Sequence, residues 1–299
     1  MSSKKSANSY ALKKRRKNVP FFRQMSALCG RYLETIINDW KKVLLLIAQP
    51  LLIALLVTLI TFSMDYLFQP IALQSIGAYG ETKQLLFSLV AACIFMGLFN
   101  SIQEICSERD IIKREYLANL NLSAYIMSKM TVQLLISLLQ GIIFTLVCTI
   151  AFGLSETGFY LSNAFWEVSA IVILTIFASS AFGFLISATV KTNGQAMLLT
   201  PFVLIIQVLF ADVLINISGA IRIISYATIT HWSARVMGAI FDVNGILSNV
   251  YGTPTERLSP MYATTFGNYM GSMGVLLFMT LVCGVVSMLV LRSVSNDTR

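Results

Sequence analysis

The 299-residue chain is 56% hydrophobic and only 12% charged, with a mean hydropathy of +0.74. A soluble domain carries about 25% charged residues, so a water-soluble globule is excluded and most of the chain belongs in lipid. Its net charge of +8 is concentrated in an N-terminal tail and in short loops flanking apolar runs, a pattern of membrane orientation rather than of nucleic-acid binding.

Residues 1–20 gather Lys4, Lys5, Lys13, Lys14, Arg15, Arg16 and Lys17 with almost nothing apolar to bury. They are expected to form a basic cytoplasmic tail. A signal peptide is not expected, because the stretch lacks an apolar core. The tail can touch anionic lipid, at roughly 1 kcal/mol per basic residue near the surface. From residue 21 the pattern changes. Phe21, Met25, Leu28, Tyr32 and Ile36 recur at helical spacing, with Arg23, Arg31 and Glu34 filling the other face. This predicts an amphipathic helix over 21–41, lying in the plane of the membrane interface.

Six apolar runs follow: 43–64, 85–105, 126–152, 168–190, 197–217 and 269–291. At about 1.5 Å rise per residue each can cross a ~30 Å hydrocarbon core as a helix. Pro50 lies inside the first, which a membrane helix tolerates when a neighbour satisfies the freed carbonyl. Counting basic residues near the helix ends puts all of them on the side of the N-terminus except Lys83, Arg222, Arg235 and Arg257. Both termini are therefore expected in the cytoplasm, including a short tail at 293–299. The segment 218–268 is half apolar around Tyr226, Trp232 and Phe241, and two short helices dipping into the outer leaflet fit it better than an aqueous loop. Cys29, Cys93, Cys106, Cys148 and Cys283 are scattered without CxxC or Cys/His spacing, so neither a metal site nor a disulfide framework is expected.

One stretch breaks the apolar pattern. Between residues 100 and 130 stand Glu104, Glu108, Arg109, Asp110, Lys113, Arg114, Glu115 and Lys129, while the roughly twenty residues on either side carry no charge. Glu108-Arg109, Arg114-Glu115 and Tyr116, followed by Ala124-Tyr125 and Ser128-Lys129, resemble the first intracellular loop of ABC exporter permeases of the type-2 class, to which the G subfamily belongs. In that family a transmembrane helix runs into E-R-x-x-x-x-R-E and an aromatic. The resemblance implies that 104–125 is a coupling loop docking on an ATPase, with Glu108, Arg109, Arg114, Glu115 and Tyr116 as the contacts. It also implies that 21–41 is the family's connecting helix and 42–292 its six-helix transmembrane domain. Ser225-Tyr226 and His231-Trp232 match the family's re-entrant helices, with Thr230 where a proline is usual.

No G-x-x-x-x-G-K-[ST] occurs in the chain, and a phosphate-cradling loop needs those glycines and that lysine. The chain is therefore expected not to be an enzyme. ATP and Mg are expected on a separate ABC ATPase subunit in two copies, the Met1 start favouring a separate polypeptide. A second permease chain, identical or related, is expected as well. The resemblance puts Leu89, Cys93, Met96 and Asn100 on one face of the second span and Leu204, Ile205 and Val208 on the fifth, all lining a substrate cavity. Val213 and Leu214 fall at the family's apolar gate. Asp212 takes the place of a glycine and is expected to pair with Arg222 or Arg235 if it has no direct role. His231 is the lone histidine, so the usual complement of a hydrolase or zinc site is missing.

The expectation is an all-α, polytopic membrane protein with six transmembrane helices, an interfacial connecting helix and re-entrant helices before the last span. Its expected function is the permease of an ATP-driven exporter in a bacterial cell membrane, passing a hydrophobic or amphipathic substrate. The alternative is an ion-gradient-driven secondary transporter, for which Asp212 is the nearest carboxylate to mid-membrane.

Overall fold

The computed structural model describes residues 20–62, 76–117, 120–152, 158, 160, 163–214, 217, 219–251 and 259–294. Every regular element among them is a helix, as an all-α polytopic membrane protein requires. Helix α1 (Phe21–Ile37) starts after Pro20, whose missing N–H costs nothing at a helix start. It buries Leu28, Tyr32 and Ile36, one residue per turn. Tyr32 and Ile36 meet Val132 and Ile136 of α6 (Leu122–Phe152), so this amphipathic face is covered by protein. The chain breaks at Asn38 and Asp39, where the Asp39 carboxylate accepts the Lys41 N–H at 3.2 Å. Lys41 and Lys42 thus belong to α2 (Trp40–Phe62).

Among the described residues five helices are long and apolar enough to cross a membrane: α2 (Trp40–Phe62), α3 (Ile76–Ser101), α6 (Leu122–Phe152), α7 (Ala164–Thr189) and α12 (Phe266–Val294). The run at 197–217 forms instead the shorter α8 (Asn193–Leu209), of 17 residues. Its start is capped by Thr192, and it stops at Phe210 because Asp212 turns the backbone to φ +58°, outside helical space. After it come a 3₁₀ turn (Gly219–Ile221), α9 (Arg222–Tyr226), α10 (Ile229–Ile240) and α11 (Val243–Tyr251). The kink between α9 and α10 falls at Ala227-Thr228, where the Thr228 hydroxyl caps α10. Thr230, in the proline position, lies in the first turn of α10 and donates to the Gln207 carbonyl at 2.5 Å.

Helices α3 and α7 form the centre, and small residues let them approach. A Cβ on Gly97 would stand 2.3 Å from the Ile176 carbonyl oxygen, and one on Gly183 would stand 2.1 Å from the Ser101 hydroxyl. Across this contact Ser179 donates to the Ile94 carbonyl at 2.7 Å and Ser180 to that of Gly97 at 3.0 Å. Close small-residue packing with interhelical hydrogen bonds is how helices associate where lipid supplies no hydrophobic drive. On α6, Gln133, Ser137 and Gln140 recur at spacings of four and three and are fully buried. Gln133 reaches Ser180 at 3.0 Å. Helix α10 packs against α3, α7 and α12, and its Arg235 bonds Asn268 in the first turn of α12. The outer helix α2 leaves Leu44, Leu45, Leu52, Leu55 and Leu59 exposed, as a lipid-facing surface would.

Candidate coupling site

The charged stretch folds as two short helices below the end of α3: α4 (Glu104–Ser107) and α5 (Arg109–Leu117). Helix α4 has no capping side chain of its own, and its first N–H groups lack helical acceptors. Ser187 of α7 supplies one: its hydroxyl accepts from the N–H groups of Ile105 and Cys106, each at 3.0 Å.

At the centre stands Lys129 on α6, buried with 2% of its surface exposed. Its ammonium donates to Glu104 at 3.0 Å and to Glu108 at 2.8 Å. It also lies 3.6 Å from the centroid of the Tyr32 ring, a cation over a negative aromatic face. The Tyr125 hydroxyl closes the set by donating to Glu108 at 2.6 Å. One buried cation is thus held by a carboxylate of α4, the carboxylate of its C-cap residue and a ring of α1, the compensation that a desolvated charge needs. Burial, and after it the Glu104 carboxylate, pushes the Tyr32 phenol well above its ordinary range.

Around this centre the loop is tied on both sides. Arg31 of α1 forms a two-pronged ion pair with Glu115, and this hydrogen bond chiefly raises the guanidinium pKa against partial burial. Arg109 donates to the Val190 carbonyl just before α8. The five expected contacts therefore divide. Glu108, Arg109 and Glu115 face the chain's own helices, whereas Arg114 and Tyr116 are exposed. Arg31, Tyr32, Glu104 and Ser187 complete the site without having been singled out for it. Glu104 carried a visible signal as a charge at the edge of an apolar run, but Arg31 was indistinguishable from other residues on a polar helix face.

The expected cavity residues differ in burial. Leu89, Cys93 and Met96 lie in the packed core, because that side of α3 meets neighbouring helices. Asn100 is half-buried and donates to Gln140 at 2.5 Å. On α8, Ile205 is exposed while Leu204 and Val208 are half-buried. At the expected gate Val213 is buried and Leu214 is half exposed.

Asp212 occupies a left-handed conformation, which glycine adopts freely and aspartate tolerates. This explains how it stands where the family has glycine. Its carboxylate accepts the Ile217 N–H at 2.7 Å and lies 4.0 Å from His231 Nδ1. Neither expected arginine is its hydrogen-bonding partner: Arg222 lies over Tyr226, and Arg235 lies over Trp232 and bonds Asn268. Ser225 also meets His231 Nδ1, at 3.0 Å, while Nε2 is buried without a hydrogen bond. A hydrolase relay uses the two ring nitrogens for the two partners, so these residues do not form one. Burial pushes the imidazole down to about 4, with Arg235 and Arg222 acting in the same sense and Asp212 opposing. Among the described residues no three His, Cys, Asp or Glu side chains are grouped to hold a metal ion.

The sequence profile of the family described as ABC-2 type transporter matches residues 23–241, which takes in most of α1, the charged loop and α10. An ABC transporter ATP-binding/permease protein of Mycobacterium tuberculosis is 27% identical over 226 residues, or 74% of this chain and 26% of that protein. The chain spans about a quarter of that relative's length. With its apolar helices and the charged loop between the second and third of them, the chain belongs to the ABC-2 type transporter family, as an ABC transporter membrane subunit.

Proposed function

We propose that the chain is the permease of an ATP-driven exporter, moving a hydrophobic or amphipathic substrate out of a bacterial cell by alternating access. The observation that carries this reading is the two-sided loop. One side is fastened to the bundle through Lys129, Glu104 and Glu108, and the other leaves Arg114 and Tyr116 exposed for a partner. A surface that receives a push must be joined stiffly to the helices it moves. The partner is an ABC ATPase carrying ATP and Mg, in two copies that serve two permease chains. The Mycobacterium relative's name couples ATP binding with a permease, and the present chain contains no Walker lysine loop of its own.

In this reading 1–20 and 293–299 are cytoplasmic, 104–125 is the coupling loop and 218–268 lies on the outer side. The cavity is formed between two chains from Ile205 and the neighbouring exposed residues of α8, with Val213 and Leu214 above it. Purification of the full chain from its source membrane, with mass spectrometry of bound proteins, tests this. A stoichiometric subunit with a Walker lysine loop is the expected result. A chain that emerges alone overturns it in favour of a gradient-driven carrier, for which the buried Asp212 beside His231 is the first residue to replace.

A further inference from the structure

Two cavities lie end to end between α2 and α3. One, of about 320 Å³, is lined by Lys41, Lys42 and Tyr32. The other, of about 360 Å³, is lined by Leu52, Ile53 and Phe95. Leu45, Phe99 and Asn100 line both, so the two form a single groove with a basic end and an apolar end. We propose that this groove binds an anionic membrane lipid, its headgroup held by Lys41 and Lys42 and an acyl chain lying along Phe99, Phe95 and Leu52.

Charge favours this occupant. Both lysines are exposed, and no ion pair engages either among the described residues. Glu104, the acid lining the same cavity, is held by Lys129 at 3.0 Å. The basic end therefore keeps its positive charge for an anion. Trp40, 67% exposed beside the two lysines, marks their depth, since tryptophan collects at the level of the headgroups.

Length and wall chemistry agree. From Lys41 to Leu52 the groove follows α2 for eleven residues, about 16 Å at 1.5 Å per residue. That is half of a ~30 Å hydrocarbon core, the depth of one leaflet. Along it the rings of Phe95 and Phe99 lie 4.5 Å apart between centroids, tilted by 31°, and both stay more than 40% exposed, an aromatic wall left open among the described residues. Asn100 lies where the two chambers meet, the level of a lipid's ester groups. The site lies on the side of the charged loop, and its occupancy does not depend on the direction of transport or on ATP.

The full chain in phosphatidylcholine nanodiscs doped with phosphatidylglycerol, released and analysed by native mass spectrometry, tests the site. Phosphatidylglycerol is expected to be retained over phosphatidylcholine, more weakly as salt rises. The Lys41→Gln/Lys42→Gln variant loses that retention about thirtyfold, at roughly a factor of five per lysine. Leu52→Trp, which fills the apolar end, lowers it as well. Arg23→Gln, which removes an exposed charge from α1 outside the groove, leaves it unchanged. Equal retention of the two lipids by the unmodified chain, or an equal loss with Arg23→Gln, overturns the assignment.

Discussion

Gln140 of α6 donates to the carbonyl of Leu46 at 3.0 Å, the acceptor four residues before Pro50 that has no helical N–H to meet it. The proline inside α2 is thus accommodated by a neighbour. The same amide donates to Gln49 at 3.3 Å and accepts from Asn100, so α2, α3 and α6 share one buried polar knot. Replacing Gln140 with leucine is expected to cost about 1 kcal/mol. Pro50→Ala restores the helical N–H, so the double variant should lose less than the two single changes summed. Thermal unfolding in detergent reads both; strictly additive losses would show that Gln140 does not serve the proline.

Lys129 gives the largest expected loss. Its replacement by methionine leaves Glu104 and Glu108 facing each other without their cation. A severed buried pair costs about 3–5 kcal/mol; the carboxylates here remain 22% and 27% exposed, so roughly 2–3 kcal/mol is expected. Adding Glu104→Gln and Glu108→Gln to Lys129→Met should recover part of that loss. Unfolding midpoints of the two variants make the comparison.

The pair of Arg31 and Glu115 separates stability from transport. Both side chains are partly exposed, so breaking their pair should cost less than about 1 kcal/mol. In the assembled transporter, Glu115→Ala should nevertheless lower substrate-stimulated ATPase activity and export together. The swap Arg31→Glu/Glu115→Arg should restore both. Unchanged export in Glu115→Ala would remove this pair from the coupling path.

His231 predicts a pH dependence of definite sign. The folded protein holds the imidazole neutral down to about 4, whereas an unfolded chain protonates it below about 6.5. Between those values the unfolded state binds more protons, so stability falls as pH is lowered from 6.5 towards 4 and is unaffected above. The loss attributable to this group reaches about 2–3 kcal/mol. Melting temperatures of the parent and of His231→Asn at pH 7.5 and 5 should differ in slope, with the variant less sensitive; parallel slopes would argue against it.

The apolar runs and the charged loop were readable because both depend on composition, and so was the helical stripe of α1. Helix boundaries were less readable. Helix α3 begins at Ile76, well before the apolar run, because Glu81 and Lys83 interrupt hydropathy without interrupting the helix. Helix α8 ends early because hydropathy cannot register the left-handed turn at Asp212. What covers each stripe of the spanning helices was not readable. Spacing places Leu89, Cys93 and Met96 on one stripe of α3 but does not say what covers it, and here it is the chain's own core. The serines of α7 went unnoticed because a buried hydroxyl looks like any small residue until the helix beside it is known.

A lever needs a fulcrum as well as a handle, and Ser187 defines where that fulcrum sits. Its single oxygen takes the two N–H groups at the bend between α3 and α4, while Arg109 fastens the next turn to the carbonyl just ahead of α8. Force applied to the loop is consequently not delivered to α3 alone. In the proposed coupling it is shared at once with α7 and the foot of α8, three rods meeting at one point.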